Sequence, residues 1–266
     1  MIGTVHQLYF LPWIGYFSKL YFSDSFVVFD TADFRKRHFY DRVKIIDTHG
    51  KPNYISLPAG QNYKIGCNNV TIKDIGNQMR EKIIRTIQES YANARFYDSE
   101  WKQLKKIISN SLYYSNNLTE INYQLIANIF EYLGLRMPKV FFTSELDLKY
   151  HDATEMLIQI CKLLDMNSLL LGDGKSTEIH DLEKIKDNDI QIYIQEYKTL
   201  HPVYEQSRRK HAGFVPCLSI VDSILNVGRE KTSDFISNKK YEPQIHKLKN
   251  VNLKKKIFKI NNDYNY

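Results

Sequence analysis

The chain has 266 residues, of which 43% are hydrophobic and 25% charged, so it can bury a sizeable core in one domain or in two closely apposed halves. It has no run of about 18 apolar residues and no basic stretch followed by an apolar one near its N-terminus, so we expect neither a transmembrane helix nor a secretory signal. Cys67, Cys161 and Cys217 form no CxxC pair and have no His cluster beside them, which favours buried thiols in a reducing cytosol over a zinc site or a disulfide framework.

The net charge of +7 comes mostly from the C-terminus. From Arg229 to Tyr266, ten Lys and Arg stand against four Asp and Glu, so the rest of the chain is close to neutral. A basic tail over residues 236–266 is a candidate for weak contact with RNA or with the anionic inner face of a membrane, although most such tails are simply solvated. We therefore expect a cytoplasmic protein that only this tail would bring to a membrane, and the oligomeric state stays open.

Strands and helices alternate in both halves of the chain. Residues 2–6 are predicted as a strand, residues 15–22 as a helix and residues 25–30 as a buried strand, which together make a βαβ unit. The stretch "RVKIIDTHGKPNYISLPAG" is then predicted as a hairpin. After a helical region, alternation returns, with strands in "KVFFTSEL", "SLLLGDGK" and "IQIYIQEY" and helices in "ATEMLIQICKLLDM" and "EIHDLEKIKDN".

These elements predict the organisation of the chain. An N-terminal α/β half that carries the His6 loop covers residues 1–75, a helical insertion covers 76–138, a C-terminal α/β half covers 139–235, and the basic tail follows at 236–266. The predicted fold class is α/β: a doubly wound, mostly parallel Rossmann-like sheet with a helical insertion and a basic C-terminal tail.

Residues suited to chemistry follow several of the predicted strands. In open parallel sheets, ligands bind at the carboxyl ends of the strands, where the strand order reverses. Four patches fall at such ends: His6 with Gln7, Asp30 with Asp33, Ser144 with Glu145, and the run Gly172-Asp173-Gly174-Lys175. Because they are distant in sequence yet expected on one edge, we interpret that edge as the candidate site.

His6 is the candidate general base. A lone histidine is more often a satisfied, partly buried side chain, but Gln7, Tyr9, Pro12 and Trp13 beside it favour a functional interpretation. A neutral imidazole at a strand end can accept a proton or donate a hydrogen bond to a phosphate.

Two segments are candidates for binding an anion. In "FRKRHFYDR", basic residues alternate with aromatic ones, which suits a clamp for phosphates that also stacks on a base or sugar; the alternative is a solvated loop. In "GDGK", the glycines would let backbone N–H groups approach an anion and Lys175 would add charge. That run lacks the rest of a Walker A motif and is otherwise a simple turn.

A charged residue also interrupts the apolar run "LSIVDSILN" near the end of the chain. Asp222 either faces water or anchors an Arg or a His of the site, because a charge in an apolar stripe is seldom buried unless it is paired.

Four stretches together resemble the WbqC-like family: "HQLYFLPWIGYFSKLYFSDSFVVFD", "FRKRHFYDRVKI", "LLLGDGK" and "HPVYEQ…GFVPCLSIVDSILNVG". The positions that match the family pattern are His6, Gln7, Pro12, Gly15, Asp30, Arg42, Gly172, Gly174, Gln206, Ser219, Asp222 and Gly228. The usual Gly-Phe-Gln-Asn-Arg of the family is here His38-Phe39-Tyr40-Asp41-Arg42, which puts the polar contacts of that Gln-Asn pair in doubt. The basic tail lies outside the resemblance.

The start of the chain is also similar to HxGH nucleotidyltransferases and pantothenate synthetases. Both open with a strand, a His-containing loop, a Gly, a helix and a strand that ends in an acid, and the loop of those enzymes binds ATP phosphates. Here Tyr16 follows Gly15, so the second His is missing and adenylyl transfer by a His pair is not implied.

The resemblance to the WbqC-like family implies a role in O-antigen or other surface-polysaccharide biosynthesis, as a transferase that moves an aminoacyl or acyl group to the amine of a nucleotide-linked amino sugar. The expected catalytic residues are His6, Gln7, Asp30 and Asp222. The expected substrate-binding residues are Trp13, Arg35, Tyr40, Arg42, Gly172, Gly174, Lys175 and Gln206. No metal is expected.

The acyl donor is left open. No Ser or Cys nucleophile motif is visible, so we expect direct attack on an activated donor, which is aminoacyl-tRNA, acyl-CoA or an ATP-activated acid. Two other functions also remain: a non-catalytic module that binds nucleotide, RNA or membrane, and a glycosyltransferase, for which "DTAD" is too loose a match to a DxD metal motif.

Overall fold

Five short apolar segments pair side by side as the parallel strands of one sheet. The computed structural model describes residues 1–60, 65–173 and 176–245. Its strands are β1 (Ile2–His6), β2 (Ser25–Val28), β3 (Arg42–Ile46), β4 (Pro52–Ser56), β5 (Lys139–Phe142), β6 (Ser168–Gly172), β7 (Gln191–Gln195) and β8 (Gln244–Ile245). The order in the main sheet is β5-β2-β1-β6-β7-β8, with β8 antiparallel at its edge, and β3 and β4 form a separate antiparallel hairpin.

Several of the helices begin at a polar side chain that caps their first turn. The helices are α1 (Ile14–Tyr21), α2 (Gln78–Tyr91), α3 (Tyr97–Tyr114), α4 (Leu118–Tyr132), α5 (Ala153–Leu163), α6 (Ser176–Ile179), α7 (Leu182–Lys186) and α8 (Ile220–Ser237), with short 3-10 turns at Cys67–Asn69, Ile75–Asn77, Thr143–Glu145 and Lys239–Tyr241. Asn117 accepts hydrogen bonds from two backbone N–H groups at the start of α4, and Asp152 does so from one in α5.

The strand order creates one switch point. From β1 the chain moves outward to β2 and β5, and it then crosses back through α5 to place β6 on the other side of β1. Ile2 pairs with Ser168 in parallel register, so the two five-residue strands end together at His6 and Gly172. This is the position where open α/β sheets bind their ligands.

Helices cover both faces of the sheet, which confirms the predicted doubly wound, mostly parallel α/β fold. Phe26 and Val28 of β2 join the larger core with α1, α2, α3, α4 and α8. The intervening Val27 points to the opposite face and joins a smaller core with Ile160 of α5 and Ile185 of α7. Side chains that alternate along β2 therefore serve the two cores in turn.

Two local predictions differ from the structure. The sequence predicts one helix over "EIHDLEKIKDN", but Asp181 accepts hydrogen bonds from the N–H groups of Glu183 and Lys184 and so begins α7 as a separate helix after His180. The first residues of the predicted tail belong to the fold, because α8 runs to Ser237 and β8 pairs with β7. The rest of that tail, residues 246–266, lies outside the described residues.

Within the described part of the chain, no helix is both long and apolar enough to span a membrane.

Candidate functional site at the β1–β6 switch point

His6 is the last residue of β1, so a central strand holds it at the switch point. Its Nδ1 lies 2.8 Å from the backbone oxygen of Gln7, and because a carbonyl only accepts, Nδ1 carries the proton and donates it. Nε2 therefore holds the lone pair of the ring. The rings of Tyr9 and Tyr16 stand edge-on to the imidazole, with centroids 4.7 and 5.2 Å away.

The surroundings of His6 keep its imidazole neutral. Burial, and then the charge of Lys19, lower its pKa from 6.5 to about 3, although the hydrogen bond to Gln7 acts in the opposite direction. A neutral ring accepts hydrogen bonds throughout the physiological pH range. Burial and, to a smaller extent, the positive charge of Lys19 make this imidazole a weak base in the ligand-free protein.

Lys19 is a second buried ionisable group near His6, and it is not among the predicted site residues. The residue is 7% exposed in α1, and burial lowers its pKa from 10.5 to about 8. It lies close enough to His6 and to His180 to lower the pKa of both imidazoles. The signal in the sequence was a lysine three residues after Tyr16 within an apolar helix.

Gln7 contributes to the site chiefly through its backbone. Its carbonyl accepts hydrogen bonds from His6 Nδ1 and from the Tyr16 hydroxyl, which lies 2.9 Å away. Its side-chain Nε2 lies 3.6 Å from the sulfur of Cys67. The main chain of Gln7 thus fixes the tautomer of His6, which is a positioning role.

The loop that follows His6 (residues 7–13, the His6 loop) explains why a tryptophan and a glycine occur together. A Cβ at Gly15 would lie 2.2 Å from the ring of Trp13, so only glycine fits there. The Trp13 ring stacks on His201 with 5.8 Å between centroids and stands edge-on to Tyr197. Trp13 therefore forms an aromatic wall with the segment that follows β7.

Residues 35–42 (the basic loop) lie against the His6 loop. The backbone N–H of Phe10 donates to the carbonyl of Phe39 at 2.8 Å, and the rings of Tyr9 and Phe39 are 5.2 Å apart. Arg35 lies in this loop and is exposed. The fold thus brings the basic loop to the side of the switch point that holds His6.

Tyr40 and Arg42 of the basic loop have different surroundings. Tyr40 is buried, with its hydroxyl 2.5 Å from Thr119 Oγ1 of α4, so it holds the loop to the helical region. The Arg42 guanidinium lies over the ring of Tyr54, 4.2 Å from its centroid. Arg42 Nε is buried and has no hydrogen-bond partner among the described residues, so Arg42 is the better placed of the two to bind an anion.

Asp30 ties two strand ends together. Its Oδ1 accepts hydrogen bonds from Thr143 Oγ1 at 2.8 Å and from the backbone N–H of Ser144 at 2.9 Å, and its Oδ2 accepts one from Ser144 Oγ at 2.6 Å. Both oxygens of this carboxylate, which is 2% exposed, are therefore engaged after β5. No contact with His6 is seen among the residues that the structure describes.

Asp222 and Gln206, both predicted site residues, belong to one buried network. Asp222 Oδ2 accepts from the Tyr204 hydroxyl at 2.8 Å and from Gln206 Nε2 at 2.9 Å, and Oδ1 accepts from Asn226 Nδ2 at 3.2 Å. Gln206 also exchanges two hydrogen bonds with the backbone of Val215. Burial raises the pKa of Asp222 to about 6, against these hydrogen bonds.

The network has a structural task. It lies in the first turn of α8, where Ser219 Oγ donates to the carbonyl of Leu11 and the N–H of Ile220 donates to that of Pro12. The network therefore stabilises the helix that anchors the far end of the His6 loop, so Asp222 and Gln206 support the site from a distance.

Gly172 ends β6 next to His6. A Cβ at this position would meet no heavy atom within 4 Å among the described residues, so the strand end faces open space. Asp173 follows, and its carboxylate accepts a hydrogen bond from Thr199 Oγ1 at 3.3 Å. Gly174 and Lys175, the other predicted residues of this turn, lie outside the described residues.

The structure thus groups His6, Lys19 and Gly172 at the switch point, with Trp13 and the basic loop as walls. Asp30, Tyr40, Gln206 and Asp222 hold the surrounding segments in place.

Two comparisons with known proteins each find a match to this chain. The model of the WbqC-like protein family matches residues 7–234. A protein of Mycobacterium tuberculosis (strain ATCC 25618 / H37Rv), named "Uncharacterized protein Rv1507c", is 24% identical over 243 residues, which is 85% of this chain and 94% of that protein. No solved structure matches the chain.

Proposed function

Because the chain belongs to the WbqC-like protein family, we propose that it transfers an aminoacyl or acyl group to the amine of a nucleotide-linked amino sugar, in the biosynthesis of O-antigen or another surface polysaccharide. The observation that carries the proposal is the neutral imidazole of His6 at the β1–β6 switch point, with its lone pair on Nε2. Transfer to an amine requires such an acceptor close to the reacting nitrogen.

The reaction has a simple balance. The neutral amine attacks the carbonyl carbon of the activated donor, so a C–N bond forms and the bond from that carbon to its leaving group breaks. His6 Nε2 takes one proton from the nitrogen and passes it to the leaving group, which departs as a tRNA hydroxyl, a CoA thiol or a phosphate, so His6 returns to its neutral form. In this scheme the backbone of Gln7 keeps Nδ1 protonated and therefore keeps Nε2 in the accepting form.

The walls of the site suit the rest of such a substrate. Arg42, whose Nε has no hydrogen-bond partner in the described part of the chain, and the exposed Arg35 are proposed to bind the diphosphate. Trp13, stacked on His201, is proposed to contact the sugar or the base. The open space beside Gly172 leaves room for the acyl donor.

A product assay tests the proposal. The purified chain is incubated with nucleotide-linked amino sugars and with each donor class in turn: acyl-CoA, aminoacyl-tRNA, and an amino acid or fatty acid with ATP. We expect one donor to produce an amide on the sugar amine, detected as a mass increase, and His6→Asn to abolish the product. The matched control is His49→Asn, because His49 is exposed in the hairpin turn away from the switch point.

A binding measurement separates catalysis from simple recognition. A ligand that binds the native state raises the midpoint of thermal unfolding by mass action. If a nucleotide sugar raises the midpoint and yet no donor gives a product, the chain is a binding module and the transferase proposal fails. If neither effect is seen with any sugar, nucleotide-sugar recognition is also refuted.

A further inference from the structure

Lys19 is a largely buried residue whose ammonium has no carboxylate partner among the described residues. No ion pair or hydrogen bond joins its Nζ to any residue within the described ranges, and burial alone accounts for the lowering of its pKa. Arg80, which is buried to a similar degree, shows the contrast. Its guanidinium donates to the side chains of Asp74 and Asn116 and to two backbone carbonyls.

A buried charge that lacks a partner destabilises the fold. Lys19 lies in α1 three residues after Tyr16, whose ring centroid is 5.2 Å from that of His6, so this helix turn lies beside the switch point, where ligands of open α/β sheets bind. Perturbed ionisable groups in such places are typical of functional sites. An anionic ligand would supply the partner that the protein itself does not.

His180 adds a second polar group that lacks a partner. It directly follows α6, the first helix after β6, and its buried Nδ1 has no hydrogen-bond partner among the described residues. Burial lowers its pKa, Asp152 acts in the opposite direction, and Lys19 lowers it again. Because Asp152 already pairs with Lys184 at 3.3 Å, it does not neutralise Lys19.

We propose that Lys19 and His180 bind a phosphate group of the ligand immediately beside His6. The ammonium supplies the charge and the imidazole of His180 supplies an N–H donor. The identity of the ligand as a nucleotide-linked sugar rests on the proposed function, but the phosphate site does not.

This placement couples binding to catalysis. Lys19 is one of the causes that lower the pKa of His6. A bound phosphate offsets the charge of Lys19, so the pKa of His6 rises and its Nε2 becomes a stronger base when substrate is present. In the ligand-free protein the same histidine stays neutral and weakly basic.

Sulfate is the probe, because it is a tetrahedral dianion that does not titrate near neutral pH. We expect Lys19→Met to weaken saturable sulfate binding, measured by calorimetry at constant ionic strength, by about 10- to 100-fold, since a charge-assisted hydrogen bond is lost. The control is Lys139→Met, which removes an exposed lysine from the start of β5, at the opposite edge of the sheet. Equal sulfate affinity in Lys19→Met and the wild type would overturn the site.

Two measurements on the wild type keep the proposal testable if Lys19→Met does not fold. Sulfate affinity should fall as the pH rises through about 8, where Lys19 loses its charge, and an affinity that is constant across that range would overturn the proposal. Sulfate should also raise the pKa of His6, followed through its ring C–H resonances. An unchanged His6 titration at saturating sulfate would refute the coupling.

Competition with bound sulfate shows which molecule supplies the phosphate. Combined with the product assay, it also separates the phosphate-site proposal from the transferase proposal. Displacement of sulfate by UDP assigns the site to the nucleotide diphosphate, and displacement by acetyl phosphate alone assigns it to an acyl phosphate donor. Lys19-dependent sulfate binding without amide product in any assay would leave the site standing and refute the transferase. Equal amide formation in Lys19→Met and the wild type would support the transferase and refute the phosphate site at Lys19.

Discussion

Replacing Asp222 with asparagine should remove a pH-dependent destabilisation of the folded protein. Asp222 is fully buried, and burial raises its pKa from 3.8 to about 6 in the folded state. A folded-state pKa above the unfolded one means that the native state binds more protons between these two values. This contribution to stability is therefore fully present below the unfolded pKa and is lost as the pH rises through about 6.

The magnitude follows from the two pKa values. At 1.36 kcal/mol per pKa unit, the shift of Asp222 corresponds to about 3 kcal/mol. Asparagine does not ionise, so the variant lacks this dependence. The free energy of unfolding of the wild type should fall by about 2–3 kcal/mol relative to Asp222→Asn between about pH 4 and about pH 8.

Urea unfolding of both proteins across this pH range measures the difference, because the other titrating groups cancel. Asp234→Asn is the control, since Asp234 lies in the same helix but is exposed and 3.9 Å from Lys231. A difference that does not change with pH would show that Asp222 has an ordinary pKa. A difference of opposite slope would show that hydrogen bonds from Tyr204 and Gln206 outweigh burial.

Three further outcomes are expected. His6→Asn should reduce turnover by about 100- to 10,000-fold with an unchanged melting temperature, whereas a less stable but fully active variant would make His6 structural. Gly15→Ala should destabilise the fold by about 1–3 kcal/mol in urea, because its methyl group would collide with the Trp13 ring, and wild-type stability would contradict that packing. Truncation after Ile245 should leave turnover and stability unchanged, since α8 and β8 remain intact, and loss of turnover would show that residues 246–266 contribute to activity.

The sequence predicted the fold class because most strands and helices show the spacing of apolar residues that is typical of their type. The apolar run at residues 25–30 and the helical spacing after Gly15 are local signals, and they correspond to β2 and α1. The alternation of strands and helices then implied a parallel sheet. The order of the strands could not be read in this way, because no local pattern records that α5 carries the chain back across β2 to the far side of β1.

The site was harder to predict, because the same residue types serve chemistry and structure. Asp30 ends a strand as a catalytic acid would, yet its oxygens are engaged by Thr143 and Ser144. Tyr40 sits among arginines as a stacking residue would, yet its hydroxyl is held by Thr119. These partners come from segments distant in sequence, so only the folded structure shows that both side chains are already occupied.

Lys19 and Asp222 differ in whether the protein itself supplies a partner for the buried ionisable group. Both are buried charges in helices, and burial shifts the pKa of each toward its neutral form. Tyr204, Gln206 and Asn226 donate side-chain hydrogen bonds to Asp222, so its presence is explained without a ligand. The protein supplies Lys19 with no acceptor within the described residues, and a helix position next to His6 could have held an apolar side chain at lower cost. The unmet demand for an anion therefore makes Lys19 the stronger functional candidate, although Asp222 matches a sequence motif and Lys19 does not.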